Sequence, residues 1–295
     1  MRNGNIPGWL RRSQEIRQDM TSRNFDLAIN CHPDKWWTAI LCAAPLRVGL
    51  YPSEQLPWSR QLYTHAINRP PDIHNTDHYL MATEAVGIPA AGKQMTVGET
   101  PEEAPFVTGF RQKHGLRDGK PVVILAPFTT AENKCWEPER FAQTADALRE
   151  QRDAEFVLTM GPRDADAARR IASQAQTPIH LAEGTTLREY VALLRHADLV
   201  ISGDSSPLHL AAAVGTPFIT IFGPTSEREI APQEGFGKIL RHPLPCAPCN
   251  STRCHNPVFR ACMKAVPVEE VVRAAVPILT KAGSQVDVTQ VAGDR

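Results

Sequence analysis

The second half of the chain alternates between continuous apolar runs and segments in which apolar residues recur at helical spacing. Each apolar run predicts a buried strand, and each periodic segment predicts a helix. The predicted strands are residues 121–126, 155–160, 179–181, 199–202 and 217–222, and the predicted helices are residues 138–151, 163–174, 187–197 and 207–214. Strands that are apolar throughout need cover on both faces, so the pattern predicts a parallel sheet with helices on each side.

The first half shows the same alternation less regularly. Strands are predicted at 25–30 and 47–51, and helices at 10–23, 36–42 and 72–86, the last ending at Gly87. Residues 88–105 contain prolines and no clear period, which predicts a linker. The chain is therefore expected to be an α/β protein with domains at 1–105 and 106–282, a Cys-rich loop at 245–263, and a tail at 283–295.

Composition narrows the classes of protein that fit. A length of 295 residues suits two domains of about 100–200 residues each. The formal net charge is zero, which gives no electrostatic argument for binding nucleic acid. No apolar run reaches the roughly 18–20 residues that a membrane helix needs. The opening residues lack the apolar region of a signal peptide, and the chain has seven cysteines, so we expect a cytoplasmic protein with reduced thiols.

The turn Gly203-Asp204-Ser205-Ser206 is the sharpest candidate for chemistry, because it joins a buried strand to a predicted helix. Free N–H groups and the helix dipole favour a phosphate there, and Ser205, Ser206 and His209 add hydrogen-bond donors. The alternative is a simple helix cap followed by a buried histidine. On this turn alone the two interpretations are about equally supported, since capped strand–helix turns are common.

Two further loops follow strand ends. Thr129, Thr130 and Lys134 place two hydroxyls and an ammonium after the first strand of the second half, where they could neutralise a departing diphosphate. The alternative is an ordinary polar loop with a solvated lysine. Asp164 could accept hydrogen bonds from ribose hydroxyls, or it could simply lie in the first turn of its helix, where the dipole favours a carboxylate.

Four cysteines crowd into 17 residues and raise the question of a metal. They are Cys246, Cys249, Cys254 and Cys262. A C-x-x-C pair with two more cysteines could form a tetrahedral zinc site, although the second pair is spaced too widely for a standard ribbon. Reduced structural thiols and a disulfide are the alternatives, and no metal ligand is assigned.

Taken together, these segments resemble glycosyltransferase family 9, the ADP-heptose:lipopolysaccharide heptosyltransferases. Residues 187–225 carry the resemblance, in particular the run from Gly203 to Ala213 and the turn Phe222-Gly223-Pro224-Thr225. Thr129, Thr130 and Lys134 match the threonines and lysine with which the family contacts phosphate. The Cys-rich run ending in Ala261-Cys262-Met263 is also similar to one found in many members.

The resemblance implies a GT-B fold, with two Rossmann-like domains facing a cleft and an incomplete N-terminal domain in this chain. It implies inverting transfer of heptose from ADP-heptose, or a similar nucleotide sugar, to the lipopolysaccharide core without a cofactor. The cytoplasmic location stands, and peripheral contact with the inner membrane is left open. Lys134 and His209 are the implied catalytic residues. The implied donor-binding set is Thr129, Thr130, Lys134, Asp164, Asp204, Ser205, Ser206 and His209.

The chain departs from the family in two places. Members open with a Ser-x-Gly-Asp loop whose aspartate is the candidate general base, and this chain shows no such opening. Asp26 and Asp34 are the nearest carboxylates, but the role of base is not transferred to either. Ser206 stands where the family usually has glycine. These departures leave two other hypotheses open, namely a catalytically silent nucleotide-sugar-binding relative and a metal-bearing interaction module built on the cysteines.

Overall fold

The computed structural model describes residues 6–32, 37–50 and 57–284, which form two compact units. Unit 1 contains residues 1–93 together with 228–230, and unit 2 contains residues 94–227 and 231–295. The observed division therefore falls earlier in the chain than residue 105, because the segment from residue 94 groups with unit 2. No helix in the described ranges is both long and apolar enough to cross a membrane.

Unit 1 is a small α/β unit with one parallel sheet of order β1-β2-β3. Its buried core includes Val48, Leu50 and Ala82. Among the described strands, β1 pairs only with β2, so β1 lies at an edge of the sheet. The elements are α1 (Ile6–Ser22), β1 (Leu27–Asn30), α2 (Trp37–Cys42), β2 (Leu46–Leu50), a 3-10 helix (Pro57–Leu62), β3 (His65–Ile67) and α3 (Asn75–Glu84).

Unit 2 begins with a helix and then alternates strands with helices along most of its length. Its strands are β4 (Val122–Ala126), β5 (Glu155–Thr159), β6 (Ile179–Ala182), β7 (Leu199–Gly203), β8 (Phe218–Ile221) and β9 (Gly237–Leu240). Its helices are α4 (Glu103–His114), α5 (Pro138–Arg152), α6 (Ala165–Gln174), α7 (Leu187–Arg195), α8 (Ser206–Val214), α9 (Glu227–Ile230), α10 (Ala261–Lys264) and α11 (Val268–Ser284), with a 3-10 helix at Glu132–Lys134; most of α9 groups with unit 1.

The six strands of unit 2 form one parallel sheet of order β6-β5-β4-β7-β8-β9. This is the doubly wound order of a Rossmann fold, in which the chain runs outwards from the centre in both directions. Strands β4, β5, β7 and β8 are buried at every residue, as their continuous apolar runs predicted. The parallel sheet predicted from the sequence is confirmed.

Alternate residues of the strands serve the two faces of this sheet. Leu125, Phe156 and Ile201 face one core cluster, to which α5, α6 and α11 contribute apolar side chains. Trp136 lies fully buried in that cluster and donates its indole N–H to the carbonyl of Val266 at 3.0 Å. The carboxyl ends of the strands are thus held on a rigid, fully packed layer.

Eight of the described elements were not predicted from the sequence. They are β3, α4, α9, β9, α10, α11 and the two 3-10 helices. The linker predicted over 88–105 gives way to α4 at Glu103, because Pro105 occupies the first turn, where a missing N–H removes no helical hydrogen bond. Strand β3 has three residues, too few for an apolar pattern to stand out.

Candidate functional site

The carboxyl ends of β4 and β7 mark the point at which the strand order of unit 2 reverses. From β4 the chain moves to β5 on one side, and from β7 it moves to β8 on the other. Open α/β sheets bind ligands outside the carboxyl ends of the strands at such a point, since the two following loops diverge and leave a crevice. The loops that begin at Pro127 and Asp204 lie there, and both were singled out by sequence.

An ion pair between a half-buried lysine and a buried aspartate joins these two loops. The Nζ atom of Lys134 lies 2.6 Å from Oδ2 of Asp204, and their side chains are 26 % and 4 % exposed. Lys134 ends the 3-10 helix that follows β4, and Asp204 directly follows β7. The structure therefore places together two site residues that are 70 positions apart in the sequence.

Gly203 allows the two loops to approach. A Cβ atom at this position would lie 3.1 Å from the carbonyl oxygen of Lys134 and 3.4 Å from Cγ2 of Thr129. The first distance is tighter than nearly all real Cβ contacts, and its neighbour is backbone, which cannot rotate away. A side chain at residue 203 would therefore push the lysine loop away from Asp204.

The hydroxyl of Thr129 is already engaged within its own loop. Its Oγ1 donates to the carbonyl of Ala131 at 2.7 Å and lies 3.1 Å from the sulfur of Cys135. Because a hydroxyl has one hydrogen, the thiol is the donor of the second contact. Thr129 thus orders the turn before Lys134, whereas Thr130 beside it is exposed. The sequence did not single out Cys135, although it directly follows Lys134.

The first turn of α8 offers unsatisfied donors. Ser205 is the N-cap residue, yet its side chain makes no capping hydrogen bond. Its Oγ atom is buried and has no hydrogen-bond partner among the described residues. A buried hydroxyl left unpaired costs about 1–3 kcal/mol unless something bonds to it, so this orphan at a helix N-terminus fits an anionic ligand. Ser206 is exposed and His209 is half-buried one turn along.

Asp164 lies at a neighbouring strand end. It is the N-cap residue of α6, and its side chain makes no capping hydrogen bond. Its Oδ2 atom lies 3.0 Å from the place where a Cβ atom on Gly161 would sit, so the carboxylate folds over the loop that follows β5. Strand β5 borders β4 on the side away from β7, which places Asp164 beside the ion pair's crevice rather than in it.

The carboxylates considered for a general base lie elsewhere. Asp34 is outside the described residues. Asp26 precedes β1 at its amino end, and its carbonyl accepts from the N–H of Leu46 at 3.2 Å. Since ligands gather at carboxyl ends of parallel strands, Asp26 is on the wrong side of its sheet to serve an acceptor there.

The cysteines of the 245–263 loop are all free thiols. Cys246 accepts from the amide of Asn256 at 3.3 Å, and Cys254 accepts from the backbone N–H of Arg260 at 3.4 Å. Burial raises the pKa of the Cys262 thiol, and the neighbouring Cys246 and Cys254 raise it further. Within the described residues, no group of three or more His, Cys, Asp or Glu side chains is placed to hold a metal ion.

The chain was compared with known proteins. The profile of glycosyltransferase family 9 (heptosyltransferase) matches residues 13–259. Lipopolysaccharide heptosyltransferase 3 of Escherichia coli is 34 % identical over 215 residues, which cover 70 % of this chain and 62 % of that relative. The chain therefore spans less than two thirds of the length of that relative.

Two solved structures share the fold. Glycosyl transferase family 9 from Veillonella parvula superposes with a TM-score of 0.76 at 21 % identity, over 92 % of this chain and 79 % of that one. E. coli ADP-heptose lipopolysaccharide heptosyltransferase II superposes with a TM-score of 0.71 at 15 % identity, over 92 % of this chain and 82 % of that one. These neighbours confirm the predicted fold class, and the profile match shows that the chain belongs to glycosyltransferase family 9.

Proposed function

We propose that this protein is a glycosyltransferase that transfers heptose, with inversion, from ADP-heptose to the lipopolysaccharide core. The observation that carries the proposal is the Lys134–Asp204 pair at the switch point of the unit 2 sheet, beside the orphaned hydroxyl of Ser205. The names of the relatives support the donor and the acceptor, since one is an ADP-heptose lipopolysaccharide heptosyltransferase and another a lipopolysaccharide heptosyltransferase.

The donor diphosphate is assigned to the crevice between the two loops. Lys134 neutralises the charge that develops on the leaving diphosphate, and the first turn of α8 supplies N–H groups and a favourable dipole. His209 donates from one turn into that helix. Ser205, Ser206 and Thr130 donate hydroxyls, while Thr129 holds the lysine loop in shape.

The two aspartates of the predicted donor set take roles other than binding phosphate. A carboxylate repels a diphosphate, so Asp204 serves by fixing the ammonium of Lys134, to which it is bonded. Asp164, at the end of β5, accepts hydrogen bonds from the ribose hydroxyls of the nucleotide. The positive charge that the reaction needs thus comes from one lysine and one helix end.

We also assign the acceptor to unit 1 and place the protein peripherally at the cytoplasmic face of the inner membrane. Eight of the twelve exposed large hydrophobic side chains in the described ranges belong to unit 1, including Trp37 and Trp58. Tryptophan suits the border between water and lipid, because it has an apolar body and a polar N–H. An equal transfer rate for a water-soluble core oligosaccharide without lipid would remove the membrane contact.

The direct test compares Lys134→Ala with wild type in a transfer assay that uses ADP-heptose and a core acceptor. Loss of the ammonium should lower kcat/KM by roughly 10²–10³, the effect of removing one donor from a preorganised anion site. Lys120→Ala is the matched control, because Lys120 pairs with Asp153 before β4, at the opposite end of the sheet.

Three outcomes separate the hypotheses. Transfer by wild type and by Lys120→Ala, with a large loss in Lys134→Ala, supports the proposal. Calorimetric binding of ADP by wild type without any transfer favours the silent nucleotide-sugar-binding relative. Equal turnover of Lys134→Ala and wild type contradicts the role of the lysine.

A further inference from the structure

The Cys-rich loop (residues 245–263) has no role in the donor site as described so far. It follows β9 and leads through α10 towards α11. Two of its residues, Asn250 and Arg260, adopt the left-handed conformation, with φ values of 48° and 59°. Such residues persist where surrounding contacts hold them in place.

One set of contacts reaches the turn after β8 (residues 222–226). Because β8 pairs with β7 in parallel, this turn lies at the same edge of the sheet as Asp204. The carbonyl of Pro224 accepts two hydrogen bonds, from the backbone N–H groups of Cys249 at 2.9 Å and Asn250 at 2.7 Å. In return, the backbone N–H of Ser226 donates to Oδ1 of Asn250 at 3.0 Å. Asn250 thus holds the turn by two hydrogen bonds, one from its backbone N–H and one to its side-chain oxygen.

The same turn is packed against sulfur atoms of the loop. A Cβ atom on Gly223 would lie 2.5 Å from Sδ of Met263 and 2.7 Å from Sγ of Cys262. Both partners are buried, Met263 at 1 % exposure and Cys262 at 8 %. Glycine is therefore the residue that permits this approach of backbone to a packed core.

A second set of contacts reaches the lysine loop (residues 129–135). The amide Nδ2 of Asn133 donates to the carbonyl of Ser251 at 2.7 Å, and Asn133 is only 3 % exposed. The guanidinium of Arg260 donates from Nη1 to the carbonyl of Cys135 at 3.2 Å. Asn133 and Cys135 flank Lys134 in sequence, so the loop is held on both sides of the lysine.

We propose that the Cys-rich loop is a clamp that holds the lysine loop and the 222–226 turn in register, with Asn133 and Asn250 as positioning residues for the donor diphosphate. The proposal rests on the proposed function for the identity of the ligand. The contacts of the clamp are independent of that function, because the adjacent residues Asn250 and Ser251 bond to the two different loops. A displacement of one loop therefore reaches the other loop through the linked residues Asn250 and Ser251.

One substitution at Asn250 removes its side-chain contact with the turn and leaves the backbone conformation unchanged. Glycine adopts a φ of 48° without strain, so Asn250→Gly removes the side chain, and with it the acceptor of the Ser226 N–H, while keeping the backbone conformation. Asn250→Asp keeps an acceptor oxygen at the same place, and aspartate also tolerates the left-handed region. Asn133→Ala removes the bond to Ser251 beside the lysine.

The first measurement is the Kd for ADP by calorimetry. Asn250→Gly and Asn133→Ala should each raise it about fivefold, the factor that one hydrogen bond of ordinary net strength represents. Thr252→Ala is the matched control, since Thr252 is an exposed residue of the same loop and lies outside the two sets of contacts. That variant should bind ADP and unfold as wild type does.

The second measurement needs no nucleotide. Amide hydrogen exchange of the 222–226 turn should speed up about fivefold in Asn250→Gly and return to the wild-type rate in Asn250→Asp. Exchange in the 129–135 loop should speed up in Asn133→Ala. Unchanged exchange in both loops, or an ADP Kd equal to that of Thr252→Ala, overturns the clamp. Failure of wild type to bind ADP instead counts against the proposed function, and the exchange rates still decide the clamp.

Discussion

The two ends of the unit 2 sheet each bury a carboxylate, and they treat it differently. At the amino end, Glu155 is 4 % exposed and is contacted by Arg117, by Arg149 at 3.4 Å and by His180 at 3.5 Å. At the carboxyl end, Asp204 is 5 % exposed, and the ion pair described there is with Lys134 alone. Glu155 is contacted by two guanidinium groups and an imidazole, whereas Asp204 has one charged partner, at the switch point of the sheet.

The difference separates an ion pair that supports the fold from one to which we assign a role in binding. Buried charges are costly unless they are paired and hydrogen-bonded, and the amino end meets that condition with partners to spare. The carboxyl end leaves the hydroxyl of Ser205 unpaired beside a helix N-terminus. Incomplete satisfaction at one end, against the fully paired carboxylate at the other, supports the proposal that a ligand binds beside Asp204.

The largest expected effect breaks the pair at the carboxyl end. Lys134→Ala should lower stability by about 2–3 kcal/mol, because Asp204 would stay buried without its partner while the lysine was only partly buried. Adding Asp204→Asn removes the stranded charge and should recover most of that loss. Transfer should remain low in both variants. Urea unfolding measures the first effect and the transfer assay the second.

This double variant also sharpens the test of the lysine. If stability returns and activity does not, the missing ammonium rather than misfolding explains the lost transfer. If Lys134→Ala were as stable as wild type, water would already solvate Asp204. The contrast drawn between Asp204 and Glu155 would then be wrong.

The next effect concerns Glu155 and depends on pH. Burial by itself raises the pKa of this carboxyl, but the hydrogen bond and charge of Arg117, with Arg149, outweigh it and leave the pKa lowered. A lowered folded-state pKa stabilises the protein above the unfolded value of about 4.3, and this stabilisation is lost as pH falls through the folded value. Glu155→Gln should therefore cost about 1–2 kcal/mol at pH 7 and less in acid.

Thermal unfolding of wild type and of Glu155→Gln between pH 7 and pH 3 measures this difference in stability. The two stability curves should converge below the unfolded pKa of about 4.3. The ADP affinity of Glu155→Gln at pH 7 should equal that of wild type, because this carboxylate is at the opposite end of the sheet. A gap that stays constant with pH would mean that packing, and not charge, makes the difference.

The smallest effect has opposite signs for stability and binding. Ser205→Ala removes a buried hydroxyl that has no partner in the described structure and makes no capping bond, so stability should rise by up to about 1 kcal/mol. The Kd for ADP should rise about threefold if, as proposed, the same hydroxyl bonds to the diphosphate. Calorimetry and thermal unfolding give both numbers. A loss of stability would instead indicate an ordinary helix cap.

Sequence predicted the parts of unit 2 that depend on local pattern. The buried strands β4, β5 and β7 have apolar residues in continuous runs, and Gly215 ends α8 in the left-handed conformation. The loops beyond the strand ends could be named because parallel strands bring them to one side. The roles of Lys134, Asp164, Asp204 and His209 in binding the donor stay predictions.

Other features depend on contacts between distant positions, which a pattern along the chain does not contain. Sequence suggested Asp204 as a ligand of the diphosphate, whereas its bond to Lys134 joins residues 70 positions apart. Asn133 and Asn250 were missed for the same reason. Both are single polar residues in loops, and only the packing of the Cys-rich loop gives them partners.

The edge position of β1 has a practical consequence for handling the protein. Its outer backbone N–H and C=O groups have no strand partner in the described structure, and Phe25 and Ile29 beside them are 41 % and 38 % exposed. An edge strand that carries exposed apolar side chains is a template on which a second chain can add a strand. Self-association should therefore increase with concentration, and a charged residue in place of Ile29 should suppress it.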